Sequence, residues 1–81
     1  MIFGETIVVS KTSNIHQLVA KNIRKQREFF GISQEKIALT AGLNRAYIGY
    51  IERGERKPSV DTLEKIAKAL KVKLYQLFIF E

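Results

Sequence analysis

Apolar side chains recur with a helical period along most of this chain. Ile15, Leu18, Val19, Ile23 and Phe30 form a stripe that predicts a first helix beginning at Asn14 and ending at Gly31. Asn14 followed by Gln17 has the spacing of a capping box. Lys21, Arg24, Lys25 and Arg27 fall on the other faces, where bases are mostly solvated. Ile37, Ala38 and Ala41 share one face of a second helix from Gln34 to Ala41, and Ile48 and Ile51 give a third, Arg45 to about Arg53, its buried side. Leu63, Ile66, Ala67 and Leu70 stripe a fourth helix that starts at Ser59, with Asp61 in the first turn where an acid suits the dipole. A short last helix is expected from about Leu74 to Phe78, because Leu74, Tyr75, Leu77, Phe78, Ile79 and Phe80 are too apolar for a free end. The fold class is therefore all-α, a compact bundle of about five helices. Met1 to Ser13 differ: Ile2, Phe3, Ile7, Val8 and Val9 surround Gly4, and TIVV suits a short strand. Residues 1–13 are expected to form an N-terminal arm or short strand packed on the domain or on a dimer mate, apart from the domain at 14–81.

The most specific local pattern lies between Ser33 and Arg53. Ser33 and Asn44 are good N-caps for the second and third helices. Gly42 suits the left-handed residue that ends a helix, and small Ala38 lets two helices approach closely. Any one of these residues fits an ordinary helical hairpin. Their conjunction is that of a helix-turn-helix, whose second helix enters the DNA major groove. The outward face of that recognition helix then carries Arg45, Ala46, Tyr47, Gly49, Tyr50 and Arg53.

Composition agrees with a polyanionic partner. The 81 residues carry a formal charge of +6 with a pI of about 9.8, which by itself is weak evidence for nucleic acid. A chain this short has a marginal core, so dimerisation is a natural supplement. There is no Cys and a single His, His16, expected as a surface or packing residue of the first helix. With no nucleophile motif and no Gly-rich phosphate loop, the sequence points away from an enzyme, a metal site and a cofactor. No apolar run is long enough to span a membrane. MIFGETIVVS lacks the basic start, apolar core and cleavage site of a signal peptide, so a cytoplasmic protein is expected, without a small-molecule ligand.

Roles follow from position. Arg45, at the N-terminal end of the recognition helix, can grip guanine O6 and N7, and Ala46 can meet a thymine methyl. Tyr47 can reach phosphate or a base edge, or pack against the second helix. Gly49 either lets the helix seat closely or is simply a tolerated small residue, and Tyr50 faces the groove if Ile48 and Ile51 are buried. Arg53, Arg56 and Lys57 flank Gly54 in RGERKPS, a basic turn suited to phosphates. Glu52, an acid near DNA, is expected to pair with Arg56 or Lys57.

NIRKQRE, GISQEKIALTAGLNRAYIGYIERGERKPS and DTLEKIAKALKVKLYQLF resemble the Cro/phage-repressor type of helix-turn-helix proteins, the XRE family, over about Ile15 to Phe78. Within it, LNRAYIGYIERG is most similar to the controller proteins of restriction–modification systems. The resemblance implies a lambda repressor-like DNA-binding domain and a homodimer that binds a palindromic operator and regulates transcription. It implies a DNA backbone or base-edge contact by Gln34, with Asn44 beside it at the backbone. It also implies a dimer interface at the C-terminal end, at Leu74, Leu77, Phe78 and Phe80, with core packing as the competing role for this end and both able to hold at once. The chain departs from the family at Gln26, where Leu is more usual. A phage-type repressor and an antitoxin-type autoregulator share the same fold and chemistry. The rival from another class is a protein-interaction module that kept the fold without binding DNA, and Arg45, Tyr47 and Arg53 on the recognition face argue against it.

Overall fold

The computed structural model describes residues 14–80. The arm or strand expected at 1–13 lies outside the described residues, as does Glu81. The described chain forms four α-helices, α1 (Ile15–Phe29), α2 (Gln34–Ala41), α3 (Arg45–Glu52) and α4 (Val60–Leu70), followed by a 3-10 helix, Leu74–Phe78. The expectation of about five helices is met with a difference. The fifth element is only five residues long, too short for cooperative α-helix, and takes the tighter 3-10 form.

The helix starts follow the chain's own caps. Ser33, Asn44 and Ser59 are extended, and each side-chain oxygen accepts an amide of the next helix, from Lys36, Ala46 and Thr62 respectively. Asn14 departs from the expected capping box: it makes no side-chain cap bond, and α1 opens through its backbone carbonyl, which accepts from the Leu18 amide at 3.0 Å.

All four α-helices end in one hydrogen-bond pattern, a six-to-one bond around a left-handed residue. The closing bonds are Ile32 N–H to Arg27 O, Leu43 N–H to Ala38 O, Glu55 N–H to Tyr50 O and Val72 N–H to Ala67 O, at 2.8–3.0 Å. Three of the left-handed positions are glycines, among them Gly42 at φ 71°, which makes the corner between α2 and α3. The fourth is Lys71 at φ 62°, the one non-glycine residue with positive φ among those described.

The core is assembled from the predicted stripes. Ile23, Ile37, Ile48, Ile51, Ile66, Leu70 and Leu77 are fully buried, with Val19, Ala38, Leu63 and Ala67 around them. The ends of the α1 stripe fall short of it: Ile15 and Phe30 stay 41% and 48% exposed. α2 packs on α3 and α4, while α1 packs on α3 and on the 3-10 helix. The last contact is polar as well as apolar. The Asn22 side-chain amide donates toward the carbonyls of Gln76, Leu77 and Ile79 at 3.0, 2.9 and 3.1 Å, tying the chain's end to α1. Among the described residues no helix is long and apolar enough to cross a membrane.

Candidate nucleic-acid interface

α2, the Gly42 corner and α3 form the helix-turn-helix. Ile37 and Ala38 of α2 face Ile48 and Ile51 of α3 within one core cluster, which leaves the other side of α3 free to present its polar face. Of the residues expected to read bases, Arg45, Ala46 and Tyr50 are exposed. Tyr47 is half-buried and packs against the core, the alternative raised for it from sequence. Gly49 departs from its expected outward position. It is buried, with Arg53 Nη1 lying 3.1 Å from the point where a Cβ would stand.

A basic, aromatic cluster follows at the C-terminal end of α3. The guanidinium carbons of Arg53 and Arg56 each lie 5.2 Å from the Tyr50 ring centroid, within cation–π range. Arg53 also grips Glu55 with Nε and Nη2, at 3.1 and 3.3 Å. Those bonds to Glu55 hold the Arg53 guanidinium pKa above its ordinary value. Lys57 is exposed beside them. The expected phosphate-facing cations thus share one surface with Tyr50, and Arg53 already holds an anion on it.

The two amides of the site are partly committed. Asn44 Oδ1 caps α3 by accepting from the Ala46 amide at 2.7 Å, so its oxygen is occupied and its NH2 end is left for a partner. Gln34, half-buried at the start of α2, donates from Nε2 to Glu52 Oε1 at 3.0 Å.

Glu52 overturns the pairing expected for it. It bonds neither Arg56 nor Lys57. Its side chain is 3% exposed and accepts from Arg27 Nε at 2.7 Å and Arg27 Nη2 at 3.1 Å. The reason lies in helical geometry. Glu52 stands four residues after Ile48 and Arg27 four after Ile23, so each rides the buried stripe of its helix rather than a solvated face. Arg27 therefore departs from the solvated role expected of the α1 bases. Glu52 raises the Arg27 pKa through its hydrogen bonds, against the lowering effect of burial. Arg27 Nη1 further donates to Ile32 O at 2.8 Å, in the turn leading to α2. The same four-residue spacing would have placed each side chain on a buried stripe from sequence, without naming its partner.

The C-terminal residues divide between two environments. Leu77, expected at a dimer interface, is instead fully buried in the chain's own core, and Leu74 and Phe80 are partly buried against that core. Phe78 is 40% exposed and borders an apolar groove shared with Ile15, Val60 and Leu63.

The Helix-turn-helix family HTH_3 matches residues 23–77. Control protein C.BamHI of Bacillus amyloliquefaciens is 44% identical over 70 residues, covering 85% of this chain and 86% of that protein. Control protein C.SmaI of Serratia marcescens is 41% identical over 64 residues, covering 79% and 76%. Among solved structures, the restriction-modification controller protein C.AhdI from Aeromonas hydrophila superposes with a TM-score of 0.75 at 37% identity, covering 76% of this chain and 94% of that one. A core stripe, an αL corner and caps in these places, together with a match over most of the described residues, make this chain a member of the HTH_3 helix-turn-helix family of XRE type.

Proposed function

We propose that this chain is a sequence-specific DNA-binding transcriptional regulator that binds a palindromic operator as a homodimer, and that it serves as the controller protein of a restriction–modification system. The observation that carries the DNA-binding reading is the exposed face of α3. Arg45 projects where the N-terminal end of a recognition helix meets base edges, and Arg53, Arg56 and Lys57 line the end that meets phosphate. In this reading Arg45, Ala46 and Tyr50 read bases, with Tyr47 and Gly49 shaping how closely the helix seats. Gln34, Asn44, Arg53, Arg56 and Lys57 hold the backbone. The exposed apolar margin around Phe78 supports pairing of two copies, and Leu74 and Phe80, partly buried against the core, would contribute what they leave exposed. Two-fold pairing places two recognition helices about 34–36 Å apart, one turn of DNA. The narrower controller role rests on the likeness to C.BamHI, C.SmaI and C.AhdI.

The test is selection of bound sites from random duplex DNA, followed by a salt titration of the winner. A two-fold symmetric consensus bound with a steep salt slope is the expected result. Selection without any consensus overturns the sequence-specific reading.

A further inference from the structure

Glu52 is the buried charged residue among those described, and it lies beneath a residue proposed to touch DNA. We infer that Glu52 is a positioning residue for the DNA contact of Gln34, with Arg27 as its counter-charge. The inference rests on the DNA-binding reading above and concerns how that surface is held ready.

Three features of the geometry lead there. A carboxylate only accepts hydrogen bonds, so the amide end of Gln34 that faces Glu52 must be its NH2 group, at 3.0 Å. The orientation of the Gln34 amide is thereby set by its neighbour. One hydrogen of that NH2 is spent on Glu52, and the second N–H is left for an acceptor. A phosphate oxygen is such an acceptor. A glutamine at the first position of a helix is otherwise free to sample several rotamers, and ordering it at the moment of binding costs entropy. Held in advance, it avoids that cost.

The second feature is charge. An uncompensated carboxylate under a phosphate contact would repel the ligand that Gln34 is placed to hold. Arg27 bonds both oxygens of Glu52, at 2.7 and 3.1 Å, so the pair presents no net charge. The third is the backbone. Arg27 also binds Ile32 O at 2.8 Å, two residues before Gln34, so one guanidinium fixes both the anchor and the turn that delivers the side chain.

The test compares three full-length variants on the operator selected for the unmodified protein: Gln34→Ala, the double substitution Arg27→Met/Glu52→Met, and the triple combination. Removing both charges together keeps the net charge. It avoids the unpaired buried ion that a single substitution leaves, and apolar replacement of a buried pair is commonly tolerated by the fold. Gln34→Ala is expected to weaken binding roughly three- to tenfold, the value of one hydrogen bond. The double variant should weaken it by a similar factor while still melting cooperatively, and the triple variant should be no weaker than either. A purely structural pair would shift the melting temperature and leave the affinity of the folded protein alone. Losses that add in the triple variant, or a double variant that binds like wild type while Gln34→Ala does not, overturn the positioning role. A Gln34→Ala protein with full affinity removes the Gln34 contact itself, and with it the inference, while leaving operator selection intact. Should the double variant fail to fold, the unmodified protein still decides the point by NMR. One side-chain amide hydrogen of Gln34 should exchange slowly with solvent, and exchange as fast as in free glutamine refutes the anchor.

Discussion

The guanidinium of Arg53 rests over Gly49, its Nη1 3.1 Å from where a Cβ on that glycine would lie. A methyl group there meets only the far end of a flexible side chain, so Gly49→Ala displaces Arg53 without straining the backbone. Alanine in a helix interior is favoured over glycine by roughly 0.5–1 kcal/mol. The variant should therefore melt at the same temperature or higher yet bind the operator more weakly, because Arg53 no longer lies between Gly49 and the Tyr50 ring. Thermal melting and a DNA titration check both halves. Unchanged affinity would mean that the resting place of Arg53 has no bearing on binding.

Glu55 competes for Arg53 with any phosphate that approaches it. The two side chains are bound at 3.1 Å while both remain more than half exposed, so their pairing is weak and screened by salt. Glu55→Gln removes that competitor together with one negative charge near DNA. Binding should tighten for specific and random duplexes alike, most visibly at low salt, without a change in melting temperature. In an Arg53→Ala background the gain should shrink. A gain of equal size there would show that Glu55 acts by general charge and not through Arg53.

Arg45 and Arg56 should fail in different ways. Arg45→Ala is expected to cost on the order of 1–3 kcal/mol of discrimination at particular base pairs. Arg56→Ala should weaken all sequences about equally and lower the salt slope by about 1. Competition assays with point-substituted operators, repeated across a salt series, separate the two. Equal losses on specific and random DNA from Arg45→Ala would reverse the assigned roles.

What the sequence displays is what depends on near neighbours. Ser33, Gly42, Asn44 and Ser59 act within a turn of themselves, and each does what its residue type suggests. The stripes of α2, α3 and α4 likewise mark their buried faces. The misreadings come from residues whose partners lie far along the chain. Arg27 and Glu52 are 25 positions apart, and charged side chains on a predicted helix give no sign of their mate. Asn22, which carries no local cue at all, reaches carbonyls 54 to 57 positions away. Gly49 shows the same limit: it was expected to face outward, and the Arg53 side chain lying over it leaves it buried.

Lys71 holds the left-handed C-terminal position of α4 that glycine fills in the other three helices. A side chain in that conformation costs roughly 1–2 kcal/mol. Lys71 is exposed. Lys71→Gly should therefore stabilise the domain by about 1 kcal/mol, less a small entropic penalty in the unfolded chain. Chemical denaturation should show a higher midpoint with an unchanged slope. A lower midpoint would indicate that the lysine stem packs usefully on α4.

Leu77 and Phe78 are adjacent in the 3-10 helix but face different environments, 0% and 40% exposed. Leu77→Ala empties a site in the protomer's core and should cost about 2–5 kcal/mol. In a domain whose whole stability is of order 5–15 kcal/mol, that lowers the melting temperature sharply. Phe78→Asp puts a charge at the rim of the Ile15, Val60 and Leu63 groove, where the isolated protomer can keep it in water. Its effect on the fold should be slight, but in a paired face the same carboxylate is buried without a partner and opposes association. The expected variant is helical, melts cooperatively and sediments as a monomer. Its operator affinity falls because the second half-site no longer gains from being linked to the first. Sedimentation as a dimer would place the pairing surface elsewhere on the domain.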